Sequence, residues 1–170
     1  MMRANARSKG FSLIEALIAL LLICVGILGM VALQGKAIPY TQDSTQRNNA
    51  AMLASELVEI LRSDPSNVSA YLKKSGVAFP DAPSSCVPLP TAAASRMGCW
   101  AARVANTLPG TTAALLKSGF YVCKSVTPKT PGNCTTGSAV EIQLSWTVKA
   151  GECMDASSGT TCTYSLRTEL

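Results

Sequence analysis

A chain of 170 residues that is 48% hydrophobic and carries a formal charge of +5 has room for one modest globular domain beside any membrane segment. Much of the charge sits at the start: removing Arg3, Arg7 and Lys9 from 15 cations leaves 12 against 10 acids. So weak a balance, with the remaining cations scattered, does not indicate a nucleic-acid partner, and the lack of any His removes the commonest general base.

Residues 11–33 carry only two clearly polar side chains, Ser12 and Glu15. As a helix they extend about 35 Å, long enough to span a bilayer. The three leader cations precede this run, which predicts a cytoplasmic N-terminus and an exported remainder. Glu15 is the odd residue. A carboxylate in a membrane helix costs about 2.5–3.5 kcal/mol at the centre, less near the interface, and is normally retained for a partner. The plainer alternative puts Glu15 at headgroup level, where it only helps to start the helix.

Gly10-Phe11-Ser12-Leu13-Ile14-Glu15 after a short basic leader resembles the class III signal of type IV pilins and type II secretion pseudopilins. The resemblance covers about six residues, and its elements are leader charge, Gly, an apolar residue and Glu at a fixed offset before an unbroken apolar run. It implies that a prepilin peptidase cuts after Gly10 and methylates the new amine of Phe11. It also implies that Glu15 pairs with the N-terminal amine of a neighbouring subunit. The residue types suit these roles: glycine leaves the backbone at the cut unencumbered, and an amine and a carboxylate attract strongly in low dielectric. An ordinary secretory signal shares the basic start but has an apolar core of about 7–15 residues and a small-residue cleavage site beyond it. Here Gly35-Lys36-Ala37 would serve poorly, and Glu15 would have no explanation.

Further along, Ala50, Leu53, Ala54, Leu57, Val58 and Leu61 recur at spacings of three and four, which predicts an amphipathic helix over 42–62, ended by Asp64-Pro65. Pro39 either kinks one long helix, with Gly35 easing the bend, or separates two helices. Residues 80–90 read as a Pro- and Ser-rich loop, and 91–107 as a shorter helix stopped by Leu108-Pro109-Gly110. Trp100 in that helix reads as a packing anchor.

Seven cysteines follow the same division. Cys24 lies in the apolar run, whereas Cys86, Cys99, Cys123, Cys134, Cys153 and Cys162 belong to the exported part, where disulfides are expected. Six cysteines allow 15 pairings. Successive pairs with short loops are the simplest: Cys86 with Cys99, Cys123 with Cys134, Cys153 with Cys162. Without CxxC or His, a zinc site is not expected. The C-terminal third changes period. Val140, Ile142, Leu144, Trp146 and Val148 alternate with polar residues as in a strand with one buried face, and 120–126 and 161–168 are shorter strand candidates, together an antiparallel meander of three or four strands.

No nucleophile or base arrangement is recognisable, so no enzyme, metal or cofactor is expected, and Glu152 with Asp155 reads as a solvated turn. The expected fold is α+β and type IV pilin-like: a long N-terminal helix, with a transmembrane half and an amphipathic half, packed on a small antiparallel sheet with disulfide-stapled loops. The expected divisions are a leader over 1–10, a hydrophobic transmembrane and assembly helix over 11–38, an amphipathic half over 39–64 and an exported domain over 65–170.

Among such proteins the cysteine-rich domain and the Cys99-Trp100 pair look most similar to the minor pilins of the pilus-modification or PilV-type group, which help initiate assembly at or near the filament tip. That resemblance implies as partners the prepilin peptidase, other minor and major pilins, the inner-membrane assembly machinery and membrane lipid. It implies residence first in the inner membrane, with the C-terminal domain periplasmic, and then in the pilus. The alternatives are a minor pseudopilin of a type II secretion system, or an adhesin for DNA or surfaces displayed by the filament.

Overall fold

The computed structural model describes residues 12–129, 134–154 and 159–170, apart from the side chain of Lys36. Gly10, Phe11 and Asp155 therefore lie outside the described residues. The chain divides into two compact units, Met1–Pro39 and Tyr40–Leu170.

Helix α1 (Leu13–Arg62) belongs to both. It starts where the Ser12 carbonyl accepts the Glu15 and Ala16 amides at 3.0 and 3.2 Å. From Leu13 to Ile38 its described side chains are exposed, and the stretch is long and apolar enough to cross a membrane. Helical residues run through Pro39 without a break, even though proline offers no N–H to the Gly35 carbonyl. The sequence left one helix or two open; the chain forms one helical element.

In the second unit, α1 buries Ala50, Leu53, Ala54, Leu57, Val58 and Leu61, the residues spaced at three and four. The helix stops at Arg62, just before Asp64-Pro65, and a 3₁₀ segment (Pro65–Tyr71) follows. Then come α2 (Ala93–Thr107), α3 (Ala113–Ser118) and strands β1 (Tyr121–Ser125), β2 (Ala139–Thr147) and β3 (Thr161–Glu169). The 3₁₀ segment and α3 were not expected, since six or seven residues are too few to display a helical period.

The strands form an antiparallel meander in the order β1-β2-β3. This is an α+β fold of a long N-terminal helix, a small sheet and disulfide-stapled loops. Val122, Val140, Ile142, Leu144, Trp146 and Cys162 of the sheet join the buried stripe of α1 and Met97, Trp100 and Val104 of α2 in one core. Trp100 anchors this core as expected, and its indole N–H donates to the Leu53 carbonyl.

One expectation is corrected. The second face of β2 is not simply solvated, because Glu141 and Ser145 are buried as well. Tyr121, Cys123 and Cys134 form a small apolar cluster on that side, with the disulfide laid over the sheet. Polar groups survive there because they are bonded. Glu141 Oε1 accepts from the Tyr121 hydroxyl at 2.6 Å and from the Lys129 amide at 2.8 Å, and the Ser145 hydroxyl donates to the Gly119 carbonyl at 2.7 Å.

The outer edge of β1 is also covered. Lys73 and Val122 exchange backbone bonds at 2.8 and 2.9 Å, and the Lys124 amide donates to the Cys134 carbonyl at 3.1 Å.

Candidate functional site

The candidate assembly segment is the beginning of α1. With Ser12 supplying the first helical acceptor, Glu15 falls in the first turn, where the unpaired amides and the helix dipole favour a carboxylate. Its side chain is exposed, and among the described residues no cation is bonded to it. The position thus suits a helix start and also leaves the carboxylate free to meet a group from another chain. Behind it, Leu17, Ile18, Leu20, Leu21 and the Cys24 thiol are exposed, an apolar surface that in water would be unfavourable at about 25 cal/mol per Å².

The second unit holds its end of α1 by groups of several kinds. Asp43 is buried; its Oδ2 accepts from Arg47 Nε at 2.9 Å and from the Met154 amide at 3.1 Å. Arg47 lies over the Trp146 ring, 5.6 Å from its centroid, and reaches the Thr163 carbonyl at 3.5 Å. Sequence reading passed over this pair, although an acid four residues before an arginine on a helix was a usable signal.

The six cysteines outside the apolar run are brought together in pairs: Cys86 with Cys99, Cys123 with Cys134 and Cys153 with Cys162. Each closes a short loop and removes on the order of 3 kcal/mol of unfolded-state entropy in the chain-entropy model. The first fastens the Pro-rich loop to α2, the second covers the sheet, and the third holds the loop before β3, whose Met154 amide meets Asp43.

Lys73 is a further buried charge that periodicity does not reveal. Its ammonium donates to the carbonyls of Leu116, Lys117 and Phe120 at 3.0, 3.1 and 2.7 Å, and it lies 4.7 Å from the Phe79 ring centroid. It thereby satisfies carbonyls at the end of α3. Burial pushes its pKa down to about 8. Burial also raises the Tyr121 hydroxyl, reinforced by its hydrogen bond to Glu141. Among the described residues no group of three or more His, Cys, Asp or Glu side chains is arranged to hold a metal ion.

Residues 5–31 match the family model for the prokaryotic N-terminal methylation motif. No curated protein and no solved structure matches the chain. The match spans Arg7 and Lys9 of the leader, the Gly10–Phe11 junction, Glu15 and most of the apolar run. It implies processing by a prepilin peptidase, and with the exposed apolar helix behind it, it indicates a class III prepilin-like subunit of the type IV pilin or pseudopilin kind.

Proposed function

We propose that this chain is a minor type IV pilin. Residues 1–10 act as a cytoplasmic leader, the peptidase cuts between Gly10 and Phe11, and the amine of Phe11 is methylated. Residues 11–38 hold the protein in the inner membrane with its C-terminal part in the periplasm, and later pack among other pilins. The amphipathic half over 39–64 carries the exported domain over 65–170. Glu15 pairs with the N-terminal amine of a neighbouring subunit, in surroundings dry enough to make the attraction strong. The role is structural, not catalytic.

The observation that carries this reading is the methylation motif over residues 5–31, in register with an apolar helix whose side chains are exposed. A place among the PilV-type minor pilins that help initiate assembly at the tip is supported by the three exported disulfides and by Trp100 beside Cys99.

Mass spectrometry of the N-terminus of protein isolated from membranes tests the processing step. The expected mature chain starts at methylated Phe11; a start near Ile38 would overturn the assignment in favour of an ordinary secretory signal. Deleting the gene tests the machine: loss of piliation and twitching is expected, whereas loss of enzyme secretion with normal pili would assign the chain to a type II secretion system.

A further inference from the structure

The two edges of the sheet are treated differently. The Val148 amide donates to the Thr160 carbonyl at 2.8 Å, continuing the β2–β3 register. In an antiparallel ladder bonded and non-bonded pairs alternate, so Cys162, Tyr164, Leu166 and Thr168 turn their backbone groups toward β2. Thr163, Ser165, Arg167 and Glu169 turn theirs outward. The Thr163 carbonyl is met by Arg47 at 3.5 Å. Among the described residues, the amides and carbonyls of Ser165 and Arg167 have no partner. On β1 the corresponding edge is closed by Lys73 and Cys134.

Open edges invite strand addition, and folded proteins usually blunt them with charged side chains, proline or a bulge. β3 has no proline and no bulge, its register against β2 being unbroken over nine residues, and of its two charged residues Arg167 turns its guanidinium to the Ser125 and Val126 carbonyls. Side chains beside the edge also match a strand. Tyr164 and Leu166 are half-buried on the core face, and Ser165 and Arg167 lie on the polar face.

We infer that the outer edge of β3, at Ser165 and Arg167, takes an extended segment of another filament subunit as a fourth strand; this rests on the filament-subunit reading above. Unpaired alternating amides and carbonyls are complemented by an extended polypeptide backbone, and the half-buried Tyr164 and Leu166 call for apolar residues at alternate positions of the incoming segment. A second copy of this chain is disfavoured. The two-fold pairing that uses Ser165, Arg167 and Glu169 together sets Arg167 opposite Arg167, a like-charge pair. Shifting it by one residue places Glu169 opposite Thr163, where the Arg47 guanidinium approaches the outward carbonyl at 3.5 Å, on the side an incoming amide would take.

The test places a benzophenone amino acid at exposed Glu169 of the full chain in living cells, with a control at exposed Ser118. Adducts to a different subunit are expected from position 169 and not from 118. Ser165→Pro removes an outward N–H and leaves the ladder to β2 intact, as prolines on edge strands do, and should lower the adduct about tenfold or more. Ser165→Val, which keeps the N–H, should leave it unchanged. No adduct from 169, an adduct insensitive to Ser165→Pro, or an adduct joining two copies of this chain would overturn the inference. The N-terminal mass of the same protein separates the two readings: a chain starting at methylated Phe11 that forms no adduct removes only the edge contact, and a chain starting elsewhere removes the filament assignment with it.

Discussion

The indole N–H of Trp100 donates to the carbonyl of Leu53 at 2.9 Å, joining α2 to the C-terminal part of α1 across 47 residues of sequence. A helical carbonyl has a second lone pair to offer, so this bond is made without breaking α1. Trp100→Phe keeps most of the apolar volume and loses the bond, and should cost about 1–2 kcal/mol. Trp100→Ala should cost about 3–5 kcal/mol. Urea unfolding of the detergent-solubilised chain, followed by fluorescence of Trp146, measures both.

Lys73 predicts how stability varies with pH. Its pKa falls from 10.5 to about 8 on folding, so between these values the unfolded chain binds more protons and stability rises with pH. Tyr71 and Tyr121 act in the opposite sense above their ordinary value of 10.0, because the folded state retains their protons. Stability should therefore climb from pH 8 toward pH 10. Lys73→Met should flatten that climb. Denaturation midpoints across this range, in a Cys24→Ala background that removes the free thiol and so limits disulfide exchange, decide the point.

Gly98 is required by close approach. A Cβ there would lie 2.5 Å from the Asp81 carbonyl oxygen and 2.9 Å from the Ala82 Cα, both backbone atoms. Alanine is the better helix former by about 1 kcal/mol. Even so, Gly98→Ala should destabilise the protein by about 1–3 kcal/mol, because the loop over α2 must move. A raised melting temperature would contradict this.

Changes at the N-terminal junction should separate processing from assembly. Gly10→Val adds branched bulk at the cut and should accumulate uncut precursor, seen as a larger band on immunoblots. Glu15→Ala or Glu15→Val should insert in the membrane and be recovered poorly from sheared filaments, since the carboxylate is the group proposed to meet the neighbouring amine. Normal incorporation of the Glu15 variants would reduce that residue to a helix starter.

Periodicity made much of the fold of the second unit legible. The buried stripe from Ala50 to Leu61, the helix around Trp100 and the alternation from Val140 to Trp146 are repeats of side-chain type along the chain, and they reappear as α1, α2 and β2. Short elements escaped because six or seven residues do not complete a pattern. Glu141 and Ser145 face a covered surface that the pattern does not reveal, because alternation identifies one buried face and cannot show what lies over the other, here the Cys123–Cys134 cluster beside Glu141 and the Gly119 turn against Ser145.

Sequence alone determined the leader charges, the Gly10–Phe11 junction, the offset of Glu15 and the apolar run, because these are properties of order along the chain and need no folding to exist. Only the tertiary structure decided which polar groups are buried and which backbone groups stay open. Lys73 finds three carbonyls from segments more than 40 residues away, and among the described residues β1 is covered along its outer edge while β3 keeps the amides and carbonyls of Ser165 and Arg167 open. These are meetings of distant segments, and no local pattern encodes them.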